Sequence, residues 1–336
     1  MSPIAALERV MHLLDRSHEG GFRSKAFFGA LLTAREVGEE ELRRRAESKT
    51  LTELPGIGKS SAQVIEEALA GKTPAYLAKL EKETKVAVSP AAQVYLDALK
   101  GDCHLHSRWS DGGATIEAMA AAAIEIGHEY MVLTDHSPRL TIAHGLNRER
   151  LLEQLHVIET LNEEVAPFRI LTGMEVDILE DGSLDLDEDL IANLDVVVAS
   201  VHSKLRSERD AMTERMVRAV ASPHVDILGH CTGRLIGKRP PSQFDPDYVF
   251  AACAQFHTAV EINSRVERLD PPPELLEMAV DHGCWFSIDS DAHATGQLEW
   301  QPHGCEKAAE SGVPLERIIN TRSADDLLAW TRESAA

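Results

Sequence analysis

The sequence predicts an α/β barrel preceded by an all-helical segment. From about residue 100 onward, short apolar runs alternate with longer helical stretches, a pattern typical of parallel strands joined by crossover helices. Seven such runs occur, and this number suits a barrel better than an open sheet. Before residue 85 the apolar spacing is helical throughout. We therefore expect a smaller all-α part and a larger α/β part.

The elements follow in order along the chain. The predicted domains are a helical domain over 1–85, a linker over 86–100 and a barrel domain over 101–336. In the first domain, helices are expected at 4–20, 25–36 and 39–48. The predicted strands lie at residues 102–106, 130–134, 169–176, 196–201, 225–228, 259–262 and 285–288. The predicted helices between the strands lie at residues 115–127, 147–164, 209–221, 246–255 and 273–282.

A glycine hairpin interrupts the helical domain at Leu54-Pro-Gly-Ile-Gly-Lys59. Glycines allow positive φ, and the main-chain N–H groups at the start of the next helix could face a phosphate. The segment resembles the helix-hairpin-helix element of DNA-binding proteins, which implies Gly56, Gly58 and Lys59 as candidates for contact with DNA. A Pro-Gly-x-Gly segment could also be only a loop.

Composition narrows the class of protein. The five cysteines are odd in number and contain no Cys-x-x-Cys pair, which predicts reduced thiols. No apolar signal core and no run of roughly 18 apolar residues is present, so a cytoplasmic protein without membrane contact is expected. Residues 1–100 hold 15 Lys and Arg against 14 Asp and Glu. The rest of the chain holds 19 of the 34 basic residues and 41 of the 55 acidic residues, so it is strongly acidic. Such an acidic body disfavours nucleic acid unless cations are bound, so charge leaves the partner open.

Histidines and acids recur where the predicted strands end. His104 and His106 stand two residues apart, a spacing that places both rings on one face of a strand. Alone, this pair could equally be two surface histidines beside an acidic turn. Six histidines and three acids at the strand ends are hard to explain as core residues, because each would need its own buried partner. In an α/β barrel they would meet at one mouth. The set comprises His104, His106, Asp111, His136, Glu175, His202, His230, Asp291 and His293.

The nine positions and their neighbours resemble the polymerase and histidinol phosphatase (PHP) family over about residues 101–330. The resemblance implies a distorted, TIM-like (β/α)7 barrel that holds two to three divalent ions, with manganese, zinc and iron as candidates. It implies a first ion on His104, His106, Glu175 and Asp291. It implies a second on Glu175 as a bridge, His202 and His230, and a third on Asp111, His136 and His293.

Further stretches narrow the resemblance. Residues 134–152, 232–239 and 261–270 are similar to the C-terminal PHP domain of bacterial family X DNA polymerases, and residues 1–85 resemble their small N-terminal domain. The polymerase palm and fingers are absent between these parts. Val64 stands where related enzymes carry a lyase lysine. Polymerase and lyase activities are therefore not expected.

The predicted function is metal-dependent hydrolysis of phosphate esters at DNA ends, as a 3′–5′ exonuclease or 3′-phosphatase in DNA repair. A metal-activated hydroxide would attack phosphorus. The residues expected to carry catalysis are His104, His106, Glu175, Asp291 and His293. The alternative is a phosphatase of small phosphomonoesters such as histidinol phosphate or a nucleotide. A third hypothesis is a non-catalytic DNA-binding module.

Basic residues in the loops after the strands are candidates to bind substrate phosphate. Each alone could instead be a solvated surface charge, because Lys and Arg are mostly exposed. The sequence leaves the oligomeric state open. The candidates are Lys204, Arg234, Arg239, Arg265 and Arg268.

Overall fold

A computed structural model describes residues 1–17 and 21–334 of the chain, which divides into two compact units. The first comprises Met1–Val86 and the short segment Thr295–Gln297. The second comprises the remaining residues from Ala87 onward.

The first unit is helical. Its helices are α1 (Pro3–Arg16), α2 (Phe22–Glu47), α3 (Lys59–Leu69) and α4 (Ala75–Glu83). Gly38 has a φ of 77° inside α2, which breaks this helix where the sequence predicts two. The predicted first helix runs through Arg16, while its last positions, 18–20, lie outside the described residues. Apolar side chains of the four helices form one core, with Leu7, Leu13 and Ile65 fully buried.

The second unit is a barrel of parallel strands, which confirms the predicted fold class. The seven strands pair in sequence order, each with the next. The loop after the last strand also bonds to the first strand, because the Asp291 amide donates to the His104 carbonyl over 2.9 Å. The strands are β1 (Gly101–Leu105), β2 (Tyr130–Leu133), β3 (Arg169–Asp177), β4 (Val196–Ser200), β5 (Ile227–Leu228), β6 (Ala259–Asn263) and β7 (Phe286–Asp289).

Helices surround the barrel. They are α5 (Pro90–Ala98), α6 (Ile116–Glu125), α7 (Arg148–Val165), α8 (Glu188–Ile191), α9 (Arg209–Val220), α10 (Pro246–Gln255), α11 (Pro273–Asp281), α12 (Gln301–Glu310) and α13 (Ala324–Ser334). Short 3-10 helices occupy Leu51–Glu53, Thr141–Ala143, Thr295–Trp300, Leu315–Arg317 and Ile319–Thr321.

The barrel interior is apolar at one end and polar at the other. Val132, Val198 and Ile227 pack with Leu327 and Trp330 of α13, so the C-terminal helix covers the apolar end. Polar and charged side chains follow at the carboxyl ends of the strands. A functional site is expected at this second end, because the loops that follow the strands converge there.

The predicted linker over 86–100 is corrected by the structure. From Ala87 onward this segment belongs to the barrel unit, and α5 packs against α12. The Ser89 hydroxyl caps α5 and also donates to Glu306 over 2.8 Å, while the Tyr95 hydroxyl donates to the Val313 carbonyl over 2.7 Å. These partners lie more than 200 residues away in sequence, so local composition could not reveal the packing.

All five cysteines are buried and free of disulfide bonds. Among the described helices, none is both long enough and apolar enough to cross a membrane.

Candidate metal centre

The nine side chains that the sequence predicts as ligands come together at the carboxyl end of the barrel. His104 and Glu175 lie on β1 and β3, and most of the others follow directly after β1, β2, β4, β5 and β7. Asp111 lies farther along the loop after β1. Asp291 has a φ of 52°, an unusual backbone conformation for a residue other than glycine and one that often marks functional sites.

The Glu175 carboxylate lies at the centre of the cluster, with 1% of its side chain exposed. Its Oε1 is 2.9 Å from Nε2 of His230 and 3.2 Å from Nε2 of His202. The ring nitrogens nearest to Oε2 belong to His136, His104 and His106, at 2.8, 3.4 and 3.5 Å. The two oxygens therefore face different histidines, as a carboxylate shared between two cations must.

Four groups of residues in the described chain have ligand atoms close enough to hold an ion. Within each group, these atoms lie within 4.8 Å of one another. The four groups contain the nine predicted residues and no others of the described chain. They are His106, Asp111, His136 and His293; His104, His106 and Asp291; His104, Glu175 and His230; and His136, Glu175 and His202.

This grouping partly matches the ligand sets that the family resemblance implies. Asp111, His136 and His293 fall together, and Glu175 belongs to two groups, as a shared ligand should. His202 and His230, which the resemblance places on one ion, both approach Oε1 of Glu175 but fall in different groups. The assignment of individual residues to individual ions stays a prediction.

Burial and charge shift the pKa values of the central groups in opposite directions. Burial lowers the pKa of His106 well below its usual range, and the nearby rings of His293 and His136 add to this effect. Burial has the same tendency at His104, but the negative charges of Glu261 and Glu175 outweigh it and raise the pKa well above its usual range. The buried carboxylates of the centre thus stabilise a positive charge next to them.

The residues fit divalent cations. Both oxygens of Glu175 are buried, and no donor reaches either of them with the geometry of a hydrogen bond, although ring nitrogens come close. An ionised carboxylate in that position is costly without a compensating partner. Two ligand atoms that share one tetrahedral ion at about 2.0–2.2 Å lie roughly 3.3–3.6 Å apart, and the contacts of Glu175 with the rings span 2.8–3.5 Å. A set of imidazoles and carboxylates suits zinc, manganese or iron.

Two buried carboxylates support the ligands, and the sequence interpretation gave neither a role. Asp135 accepts hydrogen bonds from the Ser107 amide at 2.8 Å and the Ser110 hydroxyl at 2.5 Å, so it holds the loop that carries Asp111. Glu261 lies 2.6 Å from Nδ1 of the His104 ring. An available signal was that Asp135 directly follows an apolar predicted strand and that Glu261 is an acid within another one.

The predicted phosphate-binding residues separate into three kinds. Nε of Arg268 lies 3.2 Å from Oδ2 of Asp291, and Nη1 of Arg265 lies 3.6 Å from Oδ1 of the same residue. Arg234 donates to the carbonyl of Arg268, and Arg239 to that of Gly233, both over 2.7 Å, so these two side chains hold loops together. The remaining candidate, Lys204, is exposed and has a φ of 54°. Arg265 and Arg268 are therefore the two shown to border the centre.

The predicted DNA-binding residues lie on one turn of the first unit. Gly56 has a φ of 75°, and a Cβ there would lie 2.9 Å from the Gly29 carbonyl oxygen, so glycine is required. Gly58 precedes α3, and its amide donates to the Ser61 hydroxyl over 3.0 Å. Lys59 is the exposed first residue of α3. Contact of these residues with DNA stays a prediction.

Comparison with known proteins places the barrel in a family. Residues 102–244 match the family model of the PHP domain. DNA polymerase/3′-5′ exonuclease PolX from Bacillus subtilis is 40% identical over 241 residues, which cover 72% of this chain and 42% of that protein. The chain thus matches less than half of the length of that relative. A probable phosphatase from Thermoanaerobacter sp. (strain X514) is 28% identical over 233 residues, which cover 66% of this chain and 89% of that protein.

A solved structure of histidinol phosphate phosphatase from Lactococcus lactis, complexed with zinc, L-histidinol and phosphate, is also similar, at 19% identity and a TM-score of 0.47. The similarity covers 63% of this chain and 94% of that one. The residues that match the family model include five of the seven strands and seven of the nine predicted ligands. The chain therefore contains a PHP domain over the residues that the family model matches.

Proposed function

We propose that this chain hydrolyses phosphate esters at the ends of DNA, as a 3′–5′ exonuclease or a 3′-phosphatase in DNA repair. The observation that carries the proposal is the convergence of eight other imidazole and carboxylate side chains around Glu175. Two to three divalent ions of manganese, zinc or iron would fit these residues. Such ions would supply positive charge to a phosphate group and acidify a water molecule near neutral pH.

The side chains of this centre then have distinct tasks. Glu175 supplies one oxygen to each half of the histidine cluster and keeps the positive charges close together. Arg265 and Arg268 would donate to non-bridging phosphate oxygens, because their guanidinium groups already lie beside Asp291. Burial of His104, His106 and Glu175 excludes bulk water and strengthens each of these interactions.

DNA is favoured as the substrate by two observations. The relative at 40% identity is named a DNA polymerase and 3′–5′ exonuclease. The first unit presents a glycine hairpin and the exposed Lys59 at the start of α3, where main-chain N–H groups could approach a DNA phosphate. This segment would bind the DNA backbone without reading its sequence, in keeping with a role in repair within the cytoplasm.

A phosphatase of small phosphomonoesters is the second candidate. The relative from Thermoanaerobacter is named a probable phosphatase, and the similarity extends over 89% of its length. The acidic composition of the barrel part also suits a small ligand better than a long polyanion.

The test uses the purified full chain with Mn²⁺. Substrates are 5′-labelled single-stranded DNA, 3′-recessed duplex, 3′-phosphorylated duplex and histidinol phosphate. His104→Ala and Asp291→Ala remove predicted ligands. His156→Ala is the matched control, because this histidine is 81% exposed on α7 and remote in sequence from every predicted ligand.

Metal-dependent shortening from the 3′ end, or release of a 3′-phosphate, should be lost in both ligand variants and kept in the control. Intact DNA together with phosphate release from histidinol phosphate would contradict the DNA proposal and favour the second candidate.

A second variant pair tests the role of the hairpin. Lys59→Glu should weaken DNA binding in a salt-dependent manner, because one favourable phosphate contact is replaced by a repulsive one. Hydrolysis of a small phosphate ester should not change. Lys79→Glu is the control, since Lys79 is also an exposed lysine of the first unit, on α4. Equal effects of both changes would show that only net charge matters.

A further inference from the structure

We infer that Glu261 is a positioning residue of the metal centre, which orients His104 and His230 toward Glu175. This inference rests on the proposed function, because it concerns the residues that would hold the ions. Glu261 itself belongs to none of the four groups of possible ligands in the described chain.

The position of Glu261 is fully enclosed. It lies in the middle of β6, and neither its side chain nor that of His104 is exposed. One carboxylate oxygen lies 2.6 Å from Nδ1 of His104. The other accepts a hydrogen bond from the main-chain amide of His230. A single side chain therefore contacts two of the three residues in the group formed by His104, Glu175 and His230.

The contact with His104 selects one form of the ring. In the neutral ring that would bind an ion, an acceptor at Nδ1 favours the tautomer that carries its proton there, which leaves the Nε2 lone pair free. That Nε2 lies 3.4 Å from Oε2 of Glu175 and 3.2 Å from Nε2 of His106. Glu261 thus directs the lone pair of His104 into the cluster. Carboxylates that accept from the remote nitrogen of a ligand histidine commonly fix ring orientation in this way.

The contact with His230 acts through the main chain. β5 has only two residues, so few ladder hydrogen bonds hold the segment that follows it. The bond from the His230 amide to Glu261 anchors this segment to β6. It places Nε2 of the His230 ring 2.9 Å from Oε1 of Glu175.

Glutamate is the residue that meets both requirements. Its two oxygens accept from two donors that approach from different sides, whereas the amide of glutamine offers only one accepting oxygen. Aspartate has two oxygens but a side chain shorter by one methylene group. Alanine at this position would leave both N–H groups without their partner in a buried site.

The experiment compares Mn²⁺ binding by the full chain and its variants after removal of metal with EDTA. Glu261→Gln and Glu261→Ala are titrated by calorimetry, and bound metal is counted after dialysis. Both variants should bind at least one ion about 10- to 100-fold more weakly than the wild type, with the smaller loss in Glu261→Gln.

Asp195→Asn is the matched control. Asp195 accepts from the Thr172 amide over 2.8 Å in the same barrel, at the other end of the strands. This variant tests whether loss of a carboxylate that binds the main chain is enough to weaken metal binding. It should bind Mn²⁺ like the wild type.

A ring-specific measurement tests the proposed tautomer. In the zinc-loaded wild type with ¹⁵N-labelled histidine, one Nδ1–H resonance should be strongly deshielded by its carboxylate acceptor. Glu261→Ala should lose that resonance. A side chain that only stabilised the fold would change the melting temperature of the metal-free chain and leave the metal affinity as it is.

The outcomes separate the inference from the proposed function. A wild-type chain that binds no Mn²⁺ or Zn²⁺ would overturn the proposed function. Wild-type binding that either folded Glu261 variant retains at full affinity would overturn the positioning role alone. If Glu261→Ala does not fold, Glu261→Gln carries the comparison.

Discussion

Replacement of Glu175 by glutamine is the most direct test of the centre. The substitution keeps the shape of the side chain and removes its negative charge. It also exchanges one accepting oxygen for an NH₂ group, which cannot bind a cation. In the native chain, Oε1 faces Nε2 of His230 at 2.9 Å, and Oε2 faces Nδ1 of His136 at 2.8 Å. Whichever way the amide is oriented, either the ion expected near His230 or the ion expected near His136 loses a carboxylate oxygen.

The expected loss follows from the burial of the site. Only 1% of the Glu175 side chain is exposed, so solvent cannot replace the missing charge. Removal of one partner from a buried ionic contact costs about 3–5 kcal/mol. A contact of the same strength lost from the transition state corresponds to roughly 10²- to 10⁴-fold in kcat/KM, at about 1.4 kcal/mol for each factor of ten.

The assay measures single-turnover hydrolysis of 5′-labelled DNA and the number of Mn²⁺ ions bound per chain. Glu175→Gln should lose activity by the stated factor and bind at least one ion fewer. Asp195→Asn, which replaces a carboxylate at the opposite end of the barrel, should retain both. Activity of Glu175→Gln within threefold of the wild type would refute the reasoning that this carboxylate is shared between cations.

Three further predictions concern stability. Mn²⁺ at about 100-fold above its Kd should stabilise the barrel by about 2.7 kcal/mol per ion. EDTA should therefore lower the melting temperature in differential scanning calorimetry by roughly 5–11 °C per ion, and an unchanged value would argue against a bound metal. Gly56→Ala should destabilise the first unit by about 2–4 kcal/mol through its left-handed backbone and close contact, whereas Gly58→Ala should cost less than about 1 kcal/mol; equal urea midpoints would contradict this. Burial lowers the pKa of His128 from 6.5 to about 4, so its neutral form is favoured in the folded state. Stability should therefore fall as the pH drops from 6.5 toward 4, and His128→Gln should flatten this dependence in urea titrations at several pH values.

The strands and most predicted ligand residues could be read from local patterns. The predicted runs at 130–134 and 259–262 became β2 (Tyr130–Leu133) and β6 (Ala259–Asn263). Apolar periodicity reports which side of a segment is buried, and it does so without knowledge of distant neighbours. Residues that directly follow such runs meet in space because the carboxyl ends of parallel strands in a barrel lie on one side.

The roles of the basic loop residues could not be read in this way. Arg234 and Arg268 looked alike in the sequence, as arginines that follow a strand. In the structure, Arg234 bonds to main-chain carbonyls of the loop that contains Arg268, while Arg268 reaches Asp291. A guanidinium group takes whichever acceptor the fold places within its reach, and here the partners of Arg234 lie 34 and 35 residues away.

Local sequence patterns were enough to predict the fold class, the helical first part and the nine side chains that meet at the carboxyl end of the barrel. The contacts that hold those side chains in place could be seen only in the folded chain. The contact between His104 and Glu261 joins residues 157 positions apart, and the bond from Tyr95 that draws the predicted linker into the barrel unit spans 218. The local pattern of apolar residues indicates which side chains of a segment are buried. The choice of a hydrogen-bond partner depends on which strands and helices become neighbours, and closure of the barrel sets that.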